Sequence, residues 1–223
     1  MNELIGRVYS FEKSVFPARG ELFAKLASEG QSPKALMISC ADSRIVPEHI
    51  LQAEPGDLFV CRNAGNIVPP FATMNGGVSS TVEYAVAALG VSDIIVCGHS
   101  DCGAMKAVLE PEKVAGLPAV SSWIRHGERA RAVVMESAAE GSEQSLLDAL
   151  TRENVLAQLD NLRTLPCVAA KLKARTLEIH GWMYDIENGA FSNWERTSES
   201  WRPLQEATRG APIHSDAQEV IRD

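Results

Sequence analysis

Three short apolar runs, "KALMISCA" (34–41), "DLFVCRNAG" (57–65) and "DIIVCGHS" (93–100), are separated by segments that read as helices and loops. That alternation constrains the fold more than any other feature of the chain. Apolar runs of this length suit strands covered on both faces, and strands alternating with helices over short links pair in parallel. The helical segments carry matching punctuation: "PEHILQ" (47–52) opens on proline, "VSSTVEYAVAALG" (78–90) closes on glycine, and another helix begins near Cys102. Residues 3–29 place apolar side chains at helical spacing, broken near Pro17 and ended at Gly30, which predicts one or two N-terminal helices. Further helices are expected over roughly 118–137 and 143–163, and the alternating stretch 176–195, with its Asn-Gly pair, predicts a hairpin. The fold class is therefore α/β: a central, mostly parallel sheet flanked by helices, with an N-terminal helical arm and C-terminal helices plus a β-hairpin. A single domain over 1–223 is expected, with 1–30 as the arm and 204–223 as an irregular tail.

A chain of 223 residues buries enough surface to fold without staples. Its net charge of −8 argues against nucleic acid or an anionic membrane as the main partner. No apolar run approaches the ~20 residues that span a bilayer. The N-terminus has early acidic residues and no uninterrupted apolar stretch, so no signal peptide is read there and a cytoplasmic location is expected. The five cysteines (Cys40, Cys61, Cys97, Cys102, Cys167) are odd in number and scattered, which favours reduced thiols or metal ligands over a disulfide framework.

Polar residues gather at two strand ends, "MISCADSR" (37–44) and "VCGHSDCG" (96–103). Ligand sites in parallel sheets form just past the carboxyl ends of strands. If the two strands are neighbours, Cys40, His99 and Cys102 meet there. Two thiolates and one imidazole leave one tetrahedral position open, the composition of a catalytic zinc site. The bland alternative, buried core thiols, suits Cys61, Cys97 and Cys167. It suits the trio less well, because these residues stand beside glycine, serine or aspartate where packing would favour an aliphatic side chain. A redox pair of Cys97 and Cys102 is the other alternative, but the CxxC spacing common to such motifs is absent. Asp42 and Arg44 taken alone would be a surface ion pair of little worth. Beside a metal they acquire a role, the arginine orienting a carboxylate that accepts a proton.

The motifs "CADSR" (40–44), "EPGDLFVCRNAGNIVP" (54–69), "GGVSSTVEYAV" (76–86), "GHSDCGAM" (98–105) and "HGWMYDIE" (180–187) resemble those of the β-class carbonic anhydrases, in particular the plant-type subgroup and the bacterial cyanate-operon enzymes. The resemblance implies zinc held by Cys40, His99 and Cys102, a catalytic dyad of Asp42 and Arg44, and a substrate pocket using Gln31, Phe59, Tyr84 and the Gly103 amide. It also implies that Gln31, Phe59 and Tyr84 are contributed from both sides of a dimer interface, so the working unit is a homodimer or a higher even oligomer. Met37 stands where a second subgroup, whose aspartate closes onto zinc, carries tryptophan; this favours an open metal. The implied reaction is reversible hydration of carbon dioxide to bicarbonate and a proton by hydroxide on zinc. Hydrolysis of carbon disulfide or carbonyl sulfide on the same fold, and a zinc-stabilised scaffold without turnover, are the rival readings. A scaffold would need none of Gln31, Asp42, Arg44, Phe59 and Tyr84.

Overall fold

The computed structural model describes residues 1–72, 76–137 and 142–204, so the expected tail lies outside the described residues beyond Leu204. Six strands form one sheet: β1 (Ala35–Cys40), β2 (Leu58–Asn63), β3 (Asp93–His99), β4 (Glu178–Tyr184), β5 (Phe191–Glu195) and β6 (Ser200–Pro203). Their order is β2-β1-β3-β4-β5-β6. The first four pair in parallel, and β5 and β6 are antiparallel additions. All three expected strands are present, and the expected hairpin is β4 and β5. The third strand of that meander, β6, has no visible signal in sequence because it is only four residues long and ends on proline.

β1 is buried along its whole length, as a central strand covered on both faces must be. On one face Leu36, Ile38, Ile94 and Val96 pack against Val82, Val86, Val155 and Leu159. These come from the Gly77–Glu83 helix with its π-helical continuation Tyr84–Leu89, and from the long helix Glu143–Thr164. The long helix comes very close to the sheet at Gly98. A Cβ there would stand 2.8 Å from both Met183 Sδ and Val155 Cγ2, so only glycine fits. The opposite face carries a smaller cluster of Met37, Ile95 and Cys97, flanked by Trp182, Tyr184 and Phe191.

The expected helix over 118–137 is two helices, Pro118–Ile124 and Glu128–Ser137, joined by a 3-10 turn at Arg125–Gly127. Gly127 lies against Val108 at the joint, and a Cβ there would come within 2.9 Å of its Cγ2. A further helix, Pro166–Lys173, follows the long one directly. At the N-terminus, Asn2–Ser10, Phe11–Val15, Phe16–Ala18 and Gly20–Glu29 are helical, and none of them buries a residue in this chain. Leu4, Ile5, Val8, Tyr9, Phe11 and Phe16 are exposed there.

Candidate metal centre

The chain leaves β1 for β2 on one side and later returns to place β3 on the other, so the β1/β3 boundary is a topological switch point where a crevice opens. Ser39 pairs with Cys97, which brings the ends of both strands, Cys40 and His99, out at nearly the same level. Cys102 caps the Gly103–Leu109 helix that follows. The donor atoms of Cys40, His99 and Cys102 lie within 4.8 Å of one another, and all three residues are buried.

The imidazole is fixed for ligation. Its Nδ1 is 2.8 Å from the Ser100 carbonyl, so Nδ1–H donates there and the lone pair is left on Nε2. That Nε2 is buried with no hydrogen-bond partner. The sulfurs make a complementary demand. A hydrogen bond from Cys102, helped by the Gly65 amide 3.4 Å from its Sγ, holds the Cys40 thiol well below its ordinary value against the cost of burial. The same contact with Cys40, together with burial, pushes Cys102 upward, although the Ala104 and Met105 amides at the helix start favour its thiolate. Without a cation, two sulfurs share one proton beside an unused imidazole lone pair. A divalent ion resolves all three, and two sulfurs with one nitrogen suit zinc, leaving a fourth position open.

Gly65 is placed for this contact by backbone geometry that favours glycine. Its φ is +81°, and an added Cβ would meet Met105 Cε at 2.9 Å and Ala104 Cβ at 3.0 Å.

Asp42 and Arg44 form the expected pair. Arg44 Nε donates to Asp42 Oδ1 at 3.0 Å, its Nη2 to Oδ2 at 2.8 Å, and its backbone N–H to Oδ1 at 2.9 Å. These bonds hold the Asp42 carboxyl far below the usual carboxylate range, against a small opposing cost of burial. The guanidinium is gripped from its other side as well: Nη1 donates to Asp101 Oδ2 at 2.9 Å and Nη2 to the Asp101 carbonyl at 3.2 Å. Lys106 completes the cluster with an ion pair to Asp101. Arg62 secures the loop backbone, donating to the carbonyls of Cys40 at 3.1 Å and Asp42 at 2.7 Å.

Asp101 and Arg62 were not singled out from the sequence. A basic residue in the otherwise apolar run "LFVCRN", at the same sheet end as the cysteine cluster, was the available signal for Arg62. Asp101, inside "HSDCG", offered only its proximity to two candidate ligands.

The pocket residues divide. Gly103 sits directly after Cys102 at the helix start, with open space beside it. Phe59 and Tyr84 meet each other, ring centroids 5.9 Å apart, but not this chain's metal centre. Phe59 pairs with Leu36, four residues before Cys40, which is about 13 Å along the strand. Gln31 lies farther back, before β1 begins, and is exposed.

Cys61 and Cys97 are buried as expected, and burial pushes the Cys97 thiol up to about 12, which leaves it inert for redox exchange. Cys167 departs from expectation in being only partly buried, because it lies in the first turn of the Pro166–Lys173 helix. His180 Nε2 hydrogen-bonds Asp93 Oδ1 at 2.8 Å, away from the metal centre.

Fold and site together define an α/β metalloprotein with a Cys-His-Cys centre at a sheet switch point and an arginine-locked carboxylate beside it. The sequence profile of the carbonic anhydrase family matches residues 35–191. The chain is 54% identical over 207 residues to a carbonic anhydrase of Pseudomonas aeruginosa, covering 92% of this chain and 93% of that one. It is 50% identical over 204 residues to carbonic anhydrase 1 of Escherichia coli O157:H7, covering 92% of each. Among solved structures, the β-carbonic anhydrase CcaA superposes with a TM-score of 0.88 at 41% identity, over 91% of this chain and 98% of that one. A tetrameric β-carbonic anhydrase from Sordaria macrospora gives 0.78 at 31% identity, over 86% and 95%. The chain belongs to the carbonic anhydrase family, in its β class.

Proposed function

We propose that this chain catalyses the reversible hydration of carbon dioxide to bicarbonate and a proton, with zinc held by Cys40, His99 and Cys102. The observation that carries the reading is the convergence of three buried donors, one an imidazole nitrogen with no other partner, beside a carboxylate locked by Arg44. Zinc in such a site acts as a Lewis acid that makes hydroxide available from water near neutral pH.

The chain's own groups do the rest. Asp42, kept ionised, accepts the O–H of the reacting water and so turns an oxygen lone pair toward carbon dioxide. Arg44 holds both Asp42 oxygens, which keeps that carboxylate an acceptor in one orientation and supports an open metal position. The Gly103 amide donates to the forming bicarbonate. Gln31, Phe59 and Tyr84 serve the site of a second copy, Gln31 as a hydrogen-bond donor and the two rings as an apolar wall. Their distance from this chain's own centre, the exposure of Tyr84 and the uncovered apolar arm at 2–18 support that reading. The working unit is thus a homodimer or a higher even oligomer.

Stopped-flow hydration assays with parallel zinc analysis test the assignment. Cys40→Ala should lose metal and turnover together. Asp42→Asn should keep zinc while kcat falls by at least ~100-fold, the lower end of what a single proton-transfer group contributes. A fully active, zinc-free Cys40→Ala protein would sink it.

A further inference from the structure

A cleft of about 490 Å³ lies between the long helix Glu143–Thr164 and the β4–β6 meander. Its size falls within the range of small-molecule sites. Met183 and Trp201 give it apolar walls, and Arg152 and Asp148 reach it from adjacent turns of the helix. Arg152 lies over the Trp201 ring, 5.2 Å from its centroid, and among the described residues its hydrogen bond is a long one of 3.3 Å to Ser192 Oγ. No carboxylate among the described residues pairs with it; Asp148, four residues earlier on the same helix, instead accepts from Gln144 at 3.0 Å. Asp185, also on the rim, is satisfied within its own turn by the Glu187 amide and Asn188. The cleft therefore contains a half-buried guanidinium over an indole, with most of its five N–H donors unspent among the described residues.

We propose that this cleft is a second binding site, separate from the metal, for a small organic monocarboxylate with a flat apolar body. The carboxylate accepts a forked pair of hydrogen bonds from Arg152, and the body lies between Trp201 and Met183. Asp148 on the rim sets the charge class, because its negative charge repels a second one on the ligand and selects monoanions over phosphate-like dianions. The cleft also touches Ser100, whose carbonyl holds His99 Nδ1 and whose amide donates to the Tyr184 carbonyl at 2.9 Å. An occupant would lie against the residue that orients a metal ligand.

The probe is 4-fluorophenylacetate, followed by ¹⁹F NMR on zinc-loaded full-length protein, with saturating azide present to occupy the metal. Binding should persist under azide and weaken at least tenfold in Arg152→Gln, whose hydration rate without probe should match the parent. Asp148→Asn should tighten the probe and narrow its advantage over 4-fluorophenylphosphonate, which is largely dianionic at pH 8. Complete displacement by azide, equal binding by Arg152→Gln, or no binding at millimolar probe would each overturn the proposal. The binding readouts do not depend on turnover, so they stand or fall separately from the carbonic anhydrase reading.

Discussion

Arg44 is held by two carboxylates at once, and the one outside the dyad deserves its own test. Asp101 takes Nη1 and, through its carbonyl, Nη2, so the guanidinium that aims Asp42 is fixed from both sides. Asp101→Ala should leave zinc content unchanged and lower kcat about tenfold with little change in KM, since a slightly misaimed acceptor costs rate and not substrate binding. Asp101→Asn, which can still accept from Nη1, should recover much of that loss; equal kcat in parent and Asp101→Ala would remove Asp101 from the mechanism. The sulfur pair makes a second prediction. In the metal-free site Cys40 is held toward thiolate while Cys102 is driven toward thiol, so zinc must displace about one proton from the pair. Apparent zinc affinity should therefore rise about tenfold per pH unit between pH 6.5 and 8, and calorimetry in buffers of different ionisation enthalpy should count that proton. Release of two protons, or of none, would contradict the shared-proton arrangement. The trio and Asp42–Arg44 were legible in sequence because polar residues interrupt apolar runs where strands end. Asp101's role was not, because its partner Arg44 is 57 residues away and only the β1/β3 pairing brings them together.

At the scale of elements, the long helix does more than cover the sheet. Its buried polar residues reach into the loop that carries Gly65. Asn154 Nδ2 donates to the Gly65 carbonyl at 3.0 Å, Gln158 Nε2 donates to Asn154 Oδ1 at 2.9 Å, and Gln158 Oε1 accepts the Val68 amide at 2.9 Å. Asn154→Leu would strand the Gly65 carbonyl and the Gln158 amide in a dry interior, at about 1–3 kcal/mol for each unsatisfied group. Urea unfolding of the zinc-free protein should show that loss, and zinc affinity should weaken as well, because the same loop presents the Gly65 amide to Cys40. An unchanged midpoint would mean that the loop is held by other contacts. Apolar periodicity placed this helix at nearly its true length. It could not reveal that Thr151, Asn154 and Gln158 face inward, since polar residues read as solvent-facing until their backbone partners are known. The break at Arg125–Gly127 was hidden for a related reason: it depends on contact with Val108 of another helix.

At the scale of the whole molecule, one chain contains every part of the proposed site but does not assemble them. The metal donors stand at the carboxyl ends of β1 and β3, while Phe59 sits about 13 Å back along the sheet with Tyr84 packed beside it. Motif reading found both groups, yet a linear sequence does not say which copy completes which pocket. The N-terminal helices offer such an assembly its means: apolar side chains from Leu4 to Phe16 are exposed among the described residues. If pockets are shared between copies, defects in the two halves must complement. Coexpress Cys40→Ala, which lacks a metal site, with the double variant Phe59→Ala/Tyr84→Ala, which lacks the rings, each carrying a different tag. In a mixed dimer the double variant's metal centre faces the intact rings of the Cys40→Ala copy, which makes one native site, while the other site has both defects. Hybrids purified by both tags should have about half the parental activity per dimer, although each homodimer alone is nearly inactive. If each copy instead built its pocket from its own rings, every site in the hybrid would be defective and no activity would return.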